Sequence, residues 1–207
     1  MKAVRKHHFI GIGGIGMSGL ARILRKMDVS VSGSDLKINE RIKDLKKIGV
    51  EISLQKENKS LPKDATVVFS SAIPKENAEM QEAIINKFPL LHRSELLSQL
   101  TKGKNLLAVS GTHGKTTTSS LLACVLIEAG LTPSYSLGGV LEQYSLNADF
   151  GKGNYFVIEA DESDGSFLNY YPHAAIITNI EWDHVDYYES LEQNLQAFKK
   201  FTDNVKE

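Results

Sequence analysis

Nine residues limit the fold of this 207-residue chain more than any others: Ser110-Gly111-Thr112-His113-Gly114-Lys115-Thr116-Thr117-Thr118. An apolar run over residues 105–109 precedes them, and a stretch of helical composition over residues 115–129 follows, with Gly130 as its stop. Strand, glycine turn and helix in that order line up successive backbone N–H groups at a helix N-terminus, which is an anion nest. The usual phosphate loop has a further glycine five residues before Gly114; Val109 stands there, so the loop is a shortened G-x-x-G-K-T that opens at Gly111. In this reading Lys115 is the point charge on the β and γ phosphates, and the Thr116 hydroxyl is placed for Mg²⁺. Lysine in the first turn of a helix is repelled by the positive end of the dipole unless an anion is present. The expected ATP-binding residues are Gly111, Thr112, His113, Gly114, Lys115, Thr116 and Thr117, with His113 shaping the loop rather than doing chemistry.

A second glycine turn lies near the N-terminus. Gly11-Ile12-Gly13-Gly14-Ile15-Gly16 fits G-x-G-x-x-G between a predicted strand, residues 8–12, and a predicted helix, residues 15–26. Glycines there allow a tight turn and a close approach of backbone to a diphosphate at the helix N-terminus. Asp35, at the end of the next strand (residues 29–35), sits about where a ribose-binding acid is expected. NAD is the obvious ligand from this pattern, but a nucleotide-sugar also carries a ribose and a diphosphate. The motif does not separate the two.

Short β-rich runs alternate with longer helical ones along the whole chain, the pattern of α/β architecture with mostly parallel sheets. Met17, Leu20, Ile23 and Leu24 fall on one face of the first helix. Asn39 caps a helix that Gly49 stops, residues 66–70 form a buried strand, and Pro74 opens a helix to about Lys87. A short strand at Leu90-Leu91 and a short helix over residues 94–100 follow. The polar segment Thr101-Lys102-Gly103-Lys104 marks a boundary, after which the same grammar restarts. Two domains are expected: a Rossmann-like unit over residues 1–103 and a P-loop unit over residues 104–207. Strands over residues 105–109, 155–159 and 174–178 and a final helix over residues 191–201 make the second unit look incomplete, with few strands and no closing one.

Composition removes several classes of function. The formal net charge is -1, so no basic surface argues for nucleic acid or an anionic membrane. No apolar run nears the roughly 20 residues that span a bilayer, and the N-terminus lacks a signal-peptide core. The single Cys124, between Ala123 and Val125, reads as a small buried hydrophobe. A cytoplasmic location is the default expectation.

Two polar clusters follow strong strands. Glu159-Ala160-Asp161-Glu162-Ser163-Asp164 and Asn179-Ile180-Glu181-Trp182-Asp183-His184 each lie at the C-terminal end of a strand, where parallel sheets bind ligands. An acid in the first cluster can ligate a hard cation. His184 can ligate a second metal or touch the γ-phosphate.

Taken together, these stretches resemble the Mur ligase family, ATP-dependent enzymes that add amino acids to the peptidoglycan precursor. The resemblance is carried by residues 8–21, 110–118, 159–168 and 178–186, in the family's order, and the short G-T-H-G-K-T-T loop is the family's own form. It implies that the first domain holds UDP-N-acetylmuramate rather than NAD. Gly11, Gly13, Gly14, Ile15, Gly16, Asp35, Ser70, Ser71 and Arg93 would be the residues facing it. It also implies amide formation: ATP and Mg²⁺ convert the lactyl carboxylate to an acyl phosphate, and the L-alanine amine displaces phosphate. Lys115, Glu159 and His184 would be catalytic, with Thr116, Glu159 and His184 on metal. The amino-acid pocket belongs to a third, C-terminal domain that this chain is expected to lack, so the chain alone is expected not to ligate. A muropeptide-recycling ligase of the same family, a nucleotide-sensing binding module and an NAD-dependent dehydrogenase are the alternatives. The binding module would have no need of Glu159 or His184, and the dehydrogenase would leave Lys115 and Thr116 idle.

Overall fold

The computed structural model describes residues 6–55 and 60–206. The chain divides into two compact units, Met1–Leu96 and Leu97–Glu207. The polar segment read as a boundary, residues 101–104, therefore lies inside the second unit.

The first unit is a five-stranded parallel sheet in the order β3-β2-β1-β4-β5, made by β1 (Lys6–Ile10), β2 (Ser30–Asp35), β3 (Glu51–Leu54), β4 (Ala65–Phe69) and β5 (Leu90–His92). The order grows outward from β1 in one direction and then restarts on its other side with β4. That reversal is a topological switch point, and the crevice beyond the C-terminal ends of β1 and β4 is where such sheets bind ligands. Helix α1 (Ile15–Lys26) buries Met17, Leu20, Ile23 and Leu24, the face expected from its periodicity. Helix α2 (Glu40–Lys47) starts where Asn39 caps it, the side chain accepting from the Ile42 N–H at 3.0 Å. Helix α3 (Ala78–Ile85) is shorter than expected. Pro74 does not open it: the Pro74 carbonyl accepts from the Asn77 N–H at 3.1 Å, closing a turn. Asn77 then caps the helix through Met80 N–H at 3.1 Å, since asparagine is among the strongest caps. Ile10, Leu61, Val67, Met80 and Ala83 form a core against Phe69, Ile73 and Phe88.

The second unit has a five-stranded sheet in the order β10-β6-β9-β7-β8. Its strands are β6 (Asn105–Ser110), β7 (Ser134–Leu141), β8 (Leu146–Asp149), β9 (Tyr155–Glu159) and β10 (Ala174–Ile177). All pairings are parallel except β7 with β8. Three strands were expected here; β7 and β8 make the sheet wider. They were not legible because β7 holds Gly138-Gly139 and carries a register shift between Ser136 and Leu141, while β8 has four residues. Helix α4 (Arg93–Leu100) precedes β6, and α5 (Lys115–Glu128) follows it. Ala123 of α5 packs with Tyr135, Leu137, Leu141 and Val157. Cys124 is only half-buried at the edge of that cluster and Val125 is exposed, so the apolar run there is buried at Ala123 alone. Helix α6 (Leu191–Asp203) lays Phe198 and Phe201 on Phe167 of a 3-10 turn, Ser166–Asn169, with ring centroids 5.3 and 5.0 Å away. Among the described residues no helix is long and apolar enough to cross a membrane.

Candidate functional site

The strand order of the second unit places β6 between β10 and β9, so the segments after Ser110, Ile177 and Glu159 emerge side by side. That is the convergence expected from the sequence. The phosphate loop leaves β6 at Gly111 and re-enters a helix at Gly114, the N-cap of α5, whose first turn has neither a side-chain cap nor an acid. The unfilled helix start is what an anion site requires. Gly111 is obligatory by geometry. Its φ is +126°, and a Cβ there would meet the Asn179 carbonyl oxygen at 2.8 Å and amide nitrogen at 3.0 Å.

Asn179, at the end of β10, stitches the loop in place. Its carbonyl accepts from Thr112 N–H at 3.1 Å, its Oδ1 from His113 N–H at 2.9 Å, and its Nδ2 donates to the His113 carbonyl at 3.0 Å. The Thr178 hydroxyl donates to the same carbonyl at 2.5 Å. Thr112 is buried, and its hydroxyl accepts from Glu181 N–H at 2.9 Å. The His113 ring is exposed and its Nε2 lies 3.8 Å from a Glu181 carboxylate oxygen. Thr178 and Asn179 carried no assigned role in the sequence; their position directly after an apolar strand was the only signal.

Lys115 points back over its own loop. Its Nζ donates to the Gly111 carbonyl at 2.6 Å, the Thr112 carbonyl at 3.1 Å and Glu162 Oε1 at 2.9 Å. Glu162 is 1% exposed, and its other oxygen, Oε2, is buried without a hydrogen-bond partner. His184 Nε2 lies 3.5 Å from the same Oε1. His184 has a left-handed backbone (φ 55°), held by the N–H groups of Tyr187 and Tyr188 on its carbonyl at 2.8 and 3.0 Å. A non-glycine residue in that region is strained, and such strain gathers at functional sites. Tyr188 donates its hydroxyl to the Glu162 carbonyl at 2.8 Å, and burial pushes its phenol well above the usual tyrosine value. Glu162 is the residue the sequence did not single out. It is one of four acids within six positions, and nothing in composition says which of them is buried.

Glu159 behaves differently. It is half-buried at the end of β9, and its Oε2 accepts from the Gly138 N–H of β7 at 3.0 Å. The Thr116 side chain lies against the next residue, Gly139: a Cβ there would come within 2.7 Å of Thr116 Cγ2. Thr116 and Glu159 thus meet neighbouring residues of one strand, whereas His184 meets Glu162. Among the described residues no three His, Cys, Asp or Glu side chains gather into a protein-only metal cage. Mg²⁺ at a phosphate site needs none, because it keeps waters and takes one or two protein oxygens beside substrate phosphates. A hydroxyl and a carboxylate beside an uncapped helix start fit that ion.

The first unit has an uncapped helix start of its own, at Gly14. Gly13 is locked from both sides: its N–H donates to Asp35 Oδ2 at 2.8 Å, and its carbonyl accepts from Asn39 Nδ2 at 3.0 Å and Arg41 Nε at 2.7 Å. A Cβ on Gly13 would lie 2.7 Å from Asn39 Nδ2 and 2.9 Å from Asp35 Oδ2, so a side chain there would displace the groups that hold the turn. Asp35 Oδ1 also accepts from Lys37 N–H at 3.3 Å. Gly14 caps α1, again with no side-chain cap and no acid in the first turn. Arg93 brings a guanidinium nitrogen 3.4 Å from where a Cβ of Gly16 would stand, adding positive charge at that helix start. At the end of β4, the Ser70 carbonyl accepts from Ile73 N–H at 3.0 Å, and the Ser71 hydroxyl lies 3.1 Å from His92 Nε2. Arg41 and Asn39, which the sequence reading gave no binding role, hold the turn on which the others depend.

The chain matches two family models: the one described as Mur ligase family, catalytic domain, over residues 6–105, and the Mur ligase middle domain over residues 109–207. It is 50% identical over 200 residues to the UDP-N-acetylmuramate–L-alanine ligase of Carboxydothermus hydrogenoformans, covering 96% of this chain and 43% of that protein. It is 48% identical over 202 residues to the Aquifex aeolicus ligase of the same name, covering 98% and 44%. The chain therefore spans less than half the length of these relatives. Among solved structures it resembles the UDP-N-acetylmuramate:L-alanyl-gamma-D-glutamyl-meso-diaminopimelate ligase of Neisseria meningitides, with TM-score 0.85, 32% identity and coverage of 99% of this chain and 69% of that one. It also resembles the UDP-N-acetylmuramate-alanine ligase of Thermotoga maritima, with TM-score 0.87, 33% identity and coverage of 97% and 47%. The phosphate loop, the locked glycine turn and these matches lead to one conclusion: the chain belongs to the Mur ligase family.

Proposed function

We propose that this chain supplies the nucleotide-sugar and ATP sites of a ligase that joins L-alanine to the lactyl carboxylate of UDP-N-acetylmuramate, a step of peptidoglycan precursor synthesis. The observation that carries the reading is the identity of 48–50% to ligases of that name across nearly the whole chain. Bound ATP with Mg²⁺ supplies the phosphoryl group that turns the carboxylate into an acyl phosphate open to the amine. The chain's residues then serve to collect and neutralise anions, which is most of what phosphoryl transfer asks of a protein. Lys115 and the start of α5 hold phosphate oxygens. Thr116 and Glu159 hold one Mg²⁺, and His184 contributes to a second. The start of α1 and Arg93 hold the diphosphate of the UDP-sugar, with Asp35, Ser70 and Ser71 nearer the nucleoside. Asp35 accepts two backbone N–H groups, one on each oxygen, which fixes its carboxylate beside the glycine turn with acceptor capacity left for a ribose hydroxyl.

A second reading, a ligase that attaches a tripeptide to the same sugar, is favoured by the likeness to the Neisseria structure. Its 32% identity stands well below the 50% of the alanine ligase. The test is amino-acid-dependent phosphate release with ATP and UDP-N-acetylmuramate. The chain is assayed alone and joined to the remaining part of the Carboxydothermus relative. L-Alanine should stimulate release only in the joined protein. Release by the chain alone would overturn the proposed division of labour, and release by the tripeptide but not by L-alanine would select the second reading.

A further inference from the structure

Glu162 is the most buried acid described in the second unit and has a partner for only one of its oxygens. Its Oε1 is shared between Lys115 Nζ at 2.9 Å and His184 Nε2 at 3.5 Å, while Oε2 is buried and accepts nothing. Lys115 is itself committed to three acceptors within the protein, Glu162 and the carbonyls of Gly111 and Thr112. A phosphate taking Lys115 would therefore strip a buried carboxylate of its counter-ion. An unpaired buried carboxylate is costly, and a cation in the vacated place would offset that cost. His184 sits at that place with an imidazole nitrogen, on a backbone strained into position. A carboxylate with a free buried oxygen and a neutral imidazole are suitable donors for a divalent cation.

We propose that Lys115 and a divalent cation compete for Glu162, so that the arrival of phosphate at Lys115 opens a cation site made by Glu162 and His184. Glu162 is then a positioning residue: it parks Lys115 over the loop when no phosphate is present and takes the cation once Lys115 leaves. The second cation would bind only after the nucleotide, which orders the loading of the site. This inference rests on reading the loop as a phosphate site, but it has a nucleotide-free test. Removing the Lys115 charge should open the cation site with no phosphate at all.

Mn²⁺ binding to the nucleotide-free chain is measured by electron paramagnetic resonance, with paramagnetic broadening of the His184 imidazole as a second readout. Lys115→Met should tighten Mn²⁺ at least about tenfold relative to the unaltered chain, equivalent to ~1.4 kcal/mol, and should broaden His184. Lys115→Arg, which keeps the charge, should not. Adding Glu162→Gln to Lys115→Met should return the affinity to the starting value. Should Lys115→Met unfold, Lys115→Gln gives the same reading, since its polar end still meets the loop carbonyls. No tightening, or tightening that survives Glu162→Gln, overturns the proposal. Either result leaves the ligation assay unaffected, and a failed ligation assay would leave the Mn²⁺ result standing.

Discussion

Gly138→Ala separates a glycine that positions a functional group from one that merely lets the chain turn. Gly138 is exposed in β7, and an added Cβ would stand 2.5 and 2.6 Å from the two carboxylate oxygens of Glu159. Ordinary contact begins at 3.4 Å, so the carboxylate must retreat by the difference, 0.9 Å. The 3.0 Å bond from Gly138 N–H to Glu159 is lost in that movement. What must move is the end of a flexible, half-exposed side chain that water can solvate again. The stability cost is accordingly about 0.5–1 kcal/mol, below the 1.5–3 kcal/mol of a hydrogen bond to a fully buried charge. In a chain of this size that lowers Tm by roughly 1–4 °C. The functional cost is larger. Mg²⁺ holds its oxygens at about 2.0–2.1 Å and tolerates little distortion, and disturbing the groups that aim a metal ligand weakens metal affinity about 10–100-fold. Calorimetric titration of ADP with and without Mg²⁺, beside a thermal melt, measures both effects. The Mg²⁺-dependent gain in affinity should fall by that factor while the melt barely moves. An unchanged Mg²⁺ effect together with a Tm loss above about 10 °C would refute the reasoning, because Gly138 would then be a structural glycine with no hold on Glu159.

Three further outcomes are expected. Phe167→Ala removes a ring that is 0% exposed and stacked on Phe201, and should destabilise the second unit by about 3–5 kcal/mol in denaturant unfolding. Lys104 donates to the carbonyls of Gly151 and Gly153 at 2.9 and 2.6 Å, and burial holds its ammonium below the ordinary 10.5. Between that lowered value and 10.5 the unfolded chain binds more protons, so stability should rise with pH in this window, and Lys104→Met should abolish the rise in thermal melts. Lys115→Ala in the joined ligase should slow single-turnover phosphoryl transfer by about 10²–10³-fold, the usual loss when one charge-stabilising group is removed.

The sequence carried the elements with strong local signals. The strands beside both glycine turns, with β1 (Lys6–Ile10) expected over residues 8–12, helix α1 to the residue, and the cap at Asn39 were legible because local chemistry decides them. The start of α3 was misplaced because Pro74 and Asn77 both signal a helix start, and the cap hydrogen bond prevails over the pre-set proline φ. Strands β7 and β8 were hidden, since a glycine pair and a four-residue edge strand gain their pairing from neighbours far along the chain. In the site, the loop and its lysine could be read from spacing. The burial of Glu162, the clamp of Asn179 on the loop and the support of Glu159 by Gly138 could not, for each depends on which strands lie side by side.

The claim that the first glycine turn holds a nucleotide-sugar rather than a dinucleotide is met most directly by calorimetry of the chain with UDP-N-acetylmuramate, UDP and NAD in parallel. UDP-N-acetylmuramate should bind more tightly than NAD, and Arg93→Ala should weaken it through the diphosphate. NAD binding more tightly than UDP-N-acetylmuramate would contradict that claim.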